Sequence, residues 1–166
     1  MTRTIFMIHG MWGAAWCWEN YRRFFETQGY ECVATTLRHH GIEGRRVADS
    51  RLGMLSLLDY LDDLELELNE LDDVPILFGH SMGGLLGQML AARGRASALV
   101  LLTPASPAGI LAITPSVARR YATVLTYKEY EDHAHWIMGE PGWEEVAGDV
   151  AAWLRSSERA IASADS

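Results

Sequence analysis

The sequence has few cysteines, no excess of basic residues and no long hydrophobic run, and each absence argues against a class of protein. Cys17 and Cys32 are its only cysteines, too few for a disulfide framework, so we expect a reducing compartment, the cytoplasm. The formal net charge of −8 argues against nucleic acid and against an anionic membrane surface as partners. The apolar run from Thr4 to Ile8 is too short for a signal peptide or a spanning helix.

The composition is that of a globular protein: 49% of the 166 residues are hydrophobic and 22% are charged. Neither internal repeats nor low-complexity linkers interrupt the chain. We therefore predict one domain over residues 1–155, followed by a polar C-terminal tail over residues 156–166.

Short apolar runs alternate along the chain with segments of helical periodicity. The predicted strands are Thr4–Ile8, Tyr30–Thr36, Pro75–Phe78, Ala98–Leu102 and Tyr127–Glu131, and the predicted helices are Ala15–Thr27, Ser50–Leu71, Ser81–Ala92, Pro115–Thr123 and Glu144–Leu154. This alternation predicts an α/β fold, a doubly wound and mostly parallel sheet of about five strands in the order 2-1-3-4-5. In such sheets the functional site lies at the carboxyl ends of the strands.

One strand end carries a motif with a clear chemical purpose. Residues 75–84 read PILFGHSMGG, so that Gly79, Ser81 and Gly83 form G-x-S-x-G between a predicted strand and a predicted helix. A serine at such a sharp turn presents its hydroxyl above the sheet, and the helix N-terminus offers free N–H groups to a developing oxyanion. The motif predicts a nucleophile at Ser81; the alternative is a structural turn serine ahead of a helix.

The motif and two further segments resemble the α/β-hydrolase family. Residues 79–84, GHSMGG, resemble its nucleophile elbow. Residues 8–18, IHGMWGAAWCW, are similar to the oxyanion loop and first helix of a branch that contains small esterases and is similar to the plant methylesterases and hydroxynitrile lyases. Residues 132–136, DHAHW, followed by GEPG at 139–142, resemble the family's last strand, catalytic histidine and closing helix. The resemblance spans residues 4 to about 155.

The resemblance implies a role for each matching residue. Ser81 would be the nucleophile and His135 the general base, with His133 as the alternative base. The backbone N–H groups of Met11 and Met82 would form the oxyanion hole. No cofactor or metal is implied. His39 and His40 lack a third ligand at useful spacing, so we predict a hydrogen-bonded turn there rather than a metal site.

The chain departs from the family where the cap and the catalytic acid are usual. Only about two dozen residues separate Leu102 from Tyr127, too few for the family's helical cap and acid-bearing strand. The segment LAITP at 111–115 resembles the acid loop, D-x-x-T-P, but places Leu111 where the aspartate is usual. We therefore predict a reduced α/β-hydrolase core without a cap. The candidate acid is Asp132, three residues before His135; a solvated or loop-capping carboxylate is the alternative.

These features predict a serine esterase that cleaves small or medium acyl esters, weakened because the usual acid is missing. The alternatives are a non-catalytic pseudo-hydrolase used as a scaffold for binding or assembly, and cyanohydrin lyase chemistry, which the branch resemblance alone suggests. Without a cap, Met11, Trp12 and Met82 would line an open apolar cleft, and we expect a homodimer that covers it.

Overall fold

The computed structural model describes residues 3–41, 48–105 and 126–164, with side chains as far as residue 157. The chain forms two compact units, Met1–Ala105 and Ser106–Ser166. The first unit contains the sheet and its flanking helices. The second contains a long C-terminal helix.

A parallel sheet of four strands forms the centre of the first unit. The strands are β1 (Thr4–Ile8), β2 (Glu31–Ala34), β3 (Ile76–His80) and β4 (Ala98–Leu102), in the order β2-β1-β3-β4. In the register, Met7 lies opposite Phe78 and Gly79 opposite Leu101. The predicted α/β class, the parallel pairing and the order of the first four strands are confirmed.

Three α-helices cover the two faces of this sheet. A 3₁₀ turn, Ala15–Trp18, leads into α1 (Glu19–Thr27), and α2 (Leu57–Asn69) and α3 (Met82–Ala92) follow β2 and β3. Because successive strand residues point to opposite faces, Phe78 and Leu77 belong to different layers. Phe78 packs against three aromatic side chains before and within α1, those of Trp18, Tyr21 and Phe25. Leu77 belongs to an aliphatic cluster with α2 and α3, which includes Leu61, Leu64, Leu68, Leu86 and Leu90.

The predicted helix over residues 50–71 is divided. A 3₁₀ segment, Ser50–Met54, precedes α2, which begins only after Ser56. The Ser56 hydroxyl accepts from the Asp59 N–H, and the Asp59 carboxylate accepts from the Ser56 N–H. This reciprocal capping box marks a true helix start, which separates the two segments.

The second unit contains α4 (Trp143–Ala164), preceded by residues 126–130, which have no regular structure where a last short strand was predicted. Lys128 and Tyr130, two residues apart, both bind the Asp149 carboxylate of α4 through their side chains. These side-chain contacts connect this segment to the helix.

Helix α4 continues past Leu154, where the predicted helix ends, into the stretch predicted to be a polar tail. The hydroxyls of Ser156 and Ser157 donate to the Trp153 carbonyl, so these polar residues are accommodated within the helix. The predicted helix over residues 115–123 and the acid-loop segment 111–115 lie outside the described residues. Across residues 3–41, 48–105 and 126–164, no helix has the length and apolar character needed to cross a membrane.

Candidate active site

Ser81 lies between the end of β3 and the start of α3. Its backbone has φ 51° and ψ −120°, a conformation that residues with a side chain rarely adopt. Such a conformation costs on the order of 1–3 kcal/mol and persists only where the surroundings impose it. The sharp strand–turn–helix elbow predicted from the motif is present.

Backbone hydrogen bonds hold Ser81 in this conformation. Its N–H donates to the Leu102 carbonyl at the end of β4, at 3.2 Å. Its carbonyl accepts from the N–H groups of Gly84, Leu85 and Ala105 at 2.9, 3.3 and 2.8 Å. The strained residue is therefore tied both to the neighbouring strand and to the first turn of α3.

The glycines of the elbow allow backbone to pack directly on backbone. A Cβ on Gly79 would lie 2.5 Å from the Gly83 oxygen, and a Cβ on Gly83 only 2.1 Å from the Ile8 oxygen. A Cβ on Gly10 would lie 2.9 Å from the Ser81 Cβ, so the loop after β1 passes directly beside the serine. These contacts explain why the motif requires glycine at these positions.

His9 fixes the orientation of that loop. Its Nε2 accepts from the Leu37 N–H at 3.0 Å, so the ring proton lies on Nδ1, which donates to the Gly10 carbonyl at 2.7 Å. The peptide between Gly10 and Met11 is trans, like every peptide bond of the described residues. In a trans peptide the C=O and the N–H point in opposite directions. Because the Gly10 carbonyl faces His9, the Met11 N–H is directed away from His9.

Met82, the first residue of α3, supplies the second predicted oxyanion donor. Because N–H groups in the first turn of a helix have no carbonyl four residues earlier within that helix, the Met82 N–H has no intrahelical acceptor. The structure thus places Met11, Ser81 and Met82 in one unit, with the Met11 loop and the α3 N-terminus both adjoining the serine. Backbone N–H groups that point at a developing oxyanion stabilise it during acyl transfer, and this is the role that the sequence predicts for Met11 and Met82.

The histidine beside this loop is uncharged at neutral pH. Burial lowers the pKa of His9 to about 4; the hydrogen bond to Gly10 opposes this shift, and nearby His40 and His80 add to it. Burial also lowers the pKa of His40. Two neutral imidazoles therefore lie at the carboxyl ends of β1 and β2.

The predicted open cleft is only partly correct. Met11 and Trp12 are 41% and 82% exposed, as expected for residues at its edge. Met82 is instead 6% exposed, with its side chain in the aliphatic cluster between the sheet, α2 and α3. Its side chain points into the core because the start of α3 sits directly on the sheet, so only its backbone is available to a ligand.

The predicted base and candidate acid lie in the second unit. His135 and Asp132 are both exposed. The alternative base, His133, is paired: its Nδ1 lies 3.1 Å from Glu140 Oε1, which also accepts from the Ala134 N–H at 2.8 Å. Sequence reasoning missed this role of Glu140, since nothing in a seven-residue spacing indicates that the chain turns back there.

The predicted turn at His39 and His40 is confirmed, since the His40 N–H donates to the Leu37 carbonyl at 2.9 Å. His39 has φ 65°, and its Nδ1 lies 3.9 Å from Asp49. Within the part of the chain that the structure describes, no group of three or more potential ligands could hold a metal ion. Sequence reasoning also missed Tyr60, whose hydroxyl lies 3.0 Å from His40 Nε2.

Comparison with known proteins shows which family the chain resembles. The family model described as "Alpha/beta hydrolase family" matches residues 5–166. Methylesterase 4 of Arabidopsis thaliana is 35% identical over 82 residues, which are 48% of this chain and 30% of that protein. Norfluorocurarine synthase 1 of Strychnos nux-vomica is 33% identical over 84 residues, 47% of this chain and 29% of that protein.

Solved structures show the same relationship. A thioesterase domain from the curacin biosynthetic pathway has a TM-score of 0.55 at 26% identity, over 74% of this chain and 43% of that chain. Polyneuridine aldehyde esterase has a TM-score of 0.52 at 26% identity, over 64% of this chain and 42% of that chain. The chain thus spans between 29% and 43% of the length of these four proteins.

Proposed function

This chain belongs to the alpha/beta hydrolase family, and from that premise we propose that it is a serine esterase acting on small or medium acyl esters. The observation that carries the proposal is the strained Ser81 turn, with the Gly10–Met11 peptide directly beside it. Three of the related proteins are named as a methylesterase, an esterase and a thioesterase, which supports hydrolysis of an ester or thioester bond.

The proposed reaction proceeds through an acyl-enzyme. The Ser81 Oγ attacks the ester carbonyl while His135 takes the hydroxyl proton, and the Met11 and Met82 N–H groups stabilise the oxyanion. Collapse of the tetrahedral intermediate releases the alcohol, which takes the proton back from His135. Water, deprotonated by His135, then attacks the acyl-enzyme. As the bond between the acyl carbon and Ser81 Oγ breaks, His135 returns the proton to Oγ, which releases the carboxylic acid and restores Ser81.

The proposed acid is Asp132, which would orient the His135 ring and stabilise its protonated form. Glu140 is less suited to this role because its carboxylate already accepts from His133 and the Ala134 N–H. Loss of the acid lowers turnover by about 10⁴ in serine proteases, and Asp132 does not occupy the family's usual acid position, so we expect slow catalysis here. The oxyanion hole would retain part of the rate enhancement.

The test is covalent labelling with a fluorophosphonate probe, which reacts with activated serines. We expect the wild type to be labelled, Ser81→Ala not to be labelled, and His135→Ala to be labelled at least about 100-fold more slowly. His133→Asn is the matched control: the asparagine amide lies near the position of Nδ1 and still donates to Glu140, so its labelling should stay within about threefold of the wild type. Labelling of Ser81→Ala would refute the assignment.

The alternative function is a non-catalytic scaffold, which Leu111 at the usual acid position favours. A folded wild-type protein that does not react with the probe would support the scaffold over the esterase. Circular dichroism on the same preparation distinguishes this outcome from misfolding.

A homodimer that covers the exposed loop after β1 forms a further part of the proposal. Trp12 and Trp16 are 82% and 55% exposed, beside the 41% exposed Met11. A second copy packed on these side chains would remove a large apolar area from water, on the order of 25 cal/mol for each Å². Light scattering should give twice the monomer mass for the wild type and the monomer mass for Trp12→Ser; a wild-type monomer at high concentration would contradict the dimer.

A further inference from the structure

His40 connects helix α2 to the loop beside Ser81. Its side chain is buried, with Nε2 3.0 Å from the Tyr60 hydroxyl and the two rings 5.6 Å apart. Tyr60 lies in the first turns of α2 and is only 3% exposed. A hydroxyl and an imidazole that are both buried in this way require each other as hydrogen-bonding partners.

On its other side, His40 faces the loop that carries the predicted oxyanion donor. Its ring packs on the His9 ring, with 5.1 Å between the ring centroids. The backbone of Gly13 and Met11 raises the pKa of His40, against the effect of burial, as carbonyl groups beside the ring do. His9 already holds the Gly10 carbonyl at 2.7 Å. Three carbonyls of one short loop are therefore directed toward two buried histidines.

The contacts of His40 select one of its tautomers. A carbonyl only accepts hydrogen bonds, and a neutral imidazole has a single N–H. If that proton is on Nδ1, it can donate to the loop carbonyls while Nε2 accepts from the Tyr60 O–H. If it is on Nε2, the Nδ1 lone pair is turned toward carbonyl oxygens, which is repulsive.

We propose that Tyr60 and His40 are positioning residues for the oxyanion donor at Met11. The Tyr60 hydroxyl donates to His40 Nε2, keeps the ring in its Nδ1–H tautomer, and thereby holds the Met11 and Gly13 carbonyls. The carbonyls of Gly10, Met11 and Gly13 then all face the two histidines. The Met11 N–H, which is opposite the Gly10 carbonyl in their shared peptide, faces away from the histidines. This inference rests on the proposed esterase function, in which that N–H binds the oxyanion.

The expected effect is on reaction rate rather than substrate affinity. An oxyanion-hole donor acts mainly in the transition state, and removing one lowers kcat by about 10²–10³. A donor that is misplaced rather than removed should lower kcat by less than this. We therefore expect Tyr60→Phe to lower both kcat and the rate of fluorophosphonate labelling about tenfold, and to leave KM within about twofold of the wild type.

The matched control is Tyr21→Phe. Tyr21 is also fully buried, but it packs in the aromatic cluster on the other face of the sheet, against Trp18, Phe25 and Phe78. Like Tyr60→Phe, the Tyr21→Phe variant removes the hydroxyl oxygen of a buried tyrosine, but it should leave the labelling rate unchanged. A general effect of losing a buried hydroxyl would slow both variants equally and would overturn the proposal.

A second measurement does not depend on activity. Nitrogen-15 NMR of the His40 ring should show the Nδ1–H tautomer in the wild type, and amide exchange should show that the Met11–Gly13 loop is ordered. In Tyr60→Phe the tautomer should become mixed and loop exchange should accelerate about tenfold or more. In Tyr21→Phe neither should change.

The outcomes separate this inference from the proposed function. An Nε2–H tautomer in the wild type, or Tyr60→Phe labelling at the wild-type rate, overturns the role of Tyr60 and His40 while the esterase proposal stands. A wild type that does not label refutes the esterase proposal. The tautomer and exchange data then decide whether Tyr60 and His40 hold the loop.

Discussion

Gly83, in the first turn of α3, packs directly on the end of β1. The position of a Cβ there would be 2.1 Å from the Ile8 oxygen and 2.6 Å from the His9 oxygen, both of them backbone atoms. Neither oxygen belongs to a flexible side chain that could move aside. The proximity of Ser81 to the loop after β1 depends on this contact.

Gly83→Ala should therefore destabilise the protein by about 3 kcal/mol or more, since a backbone must move to admit the methyl group. Gly148→Ala is the control: Gly148 lies within α4 with open space around its Cβ position, and alanine there should stabilise by about 1 kcal/mol. Urea titrations of both variants measure the free energy of unfolding. An unchanged midpoint for Gly83→Ala would show that the close contact does not exist.

His9 links stability to pH because it is buried in its neutral form. Its pKa in the folded protein is about 4, against an ordinary value of 6.5. The unfolded chain therefore takes up a proton as the pH falls below about 6.5, while the folded chain does not until about 4. The stabilisation is complete above the higher value and is lost as the pH falls toward the lower one.

This difference corresponds to ~3 kcal/mol of stability lost between about pH 6.5 and pH 4. Urea titrations at about pH 7 and about pH 4.5 should show a much smaller loss for His9→Gln than for the wild type. His40, whose pKa is also lowered by burial, contributes in the same direction and remains in both proteins. Equal pH dependence in the two proteins would show that His9 is not buried in its neutral form.

Among the elements, α2 shows most clearly how a local signal sets a boundary. The Ser56 N–H lies 2.7 Å from Asp59 Oδ2, and the Asp59 N–H lies 3.3 Å from the Ser56 Oγ. These bonds satisfy N–H groups at the helix N-terminus that have no carbonyl partner within the helix. The first turns of α2 also place Tyr60 beside His40, so the start of this helix bears on the candidate site.

Ser56→Ala should cost about 1 kcal/mol, the usual loss when an N-cap serine is replaced by alanine. Ser156→Ala makes the same change inside a helix, where the serine hydroxyl only donates to the Trp153 carbonyl. Its free energy of unfolding should stay within about 0.5 kcal/mol of the wild type. Thermal unfolding followed by circular dichroism measures both. A loss as large for Ser156→Ala would mean that capping is not the cause.

Across the molecule, the protection of both cysteines follows from the packing of the first unit. Cys17 is 5% exposed, in the 3₁₀ turn before α1, and burial raises its pKa. Burial also raises the pKa of Cys32, in β2, to about 12. Because the thiolate is the reactive form, both thiols should be inert while the unit is folded.

A thiol-specific disulfide reagent should react with both cysteines at least about 100-fold more slowly in native protein than in denaturing urea. The single variants Cys17→Ser and Cys32→Ser assign the rate to each position. Reaction of native protein at the denatured rate would contradict the described packing of the first unit.

Local patterns in the chain were sufficient for much of the fold and for the elbow. The predicted bounds of β1 and β4 agree with the structure, because short apolar runs ended by polar or glycine residues specify buried strands. The elbow was predictable for a similar reason: Gly79, Ser81 and Gly83 serve a turn formed by adjacent residues. The strand order followed from right-handed crossovers between parallel strands.

Contacts between distant residues could not be predicted in this way. Residues 126–130 have no regular structure where a strand was predicted, and the side chains of Lys128 and Tyr130 bind Asp149 of α4, about twenty residues further along the chain. His40 meets Tyr60 across a separation of 20 residues, and Leu37 meets His9 across 28. Hydrophobic periodicity shows which residues are buried but not which buried polar groups meet, since that depends on how the layers pack.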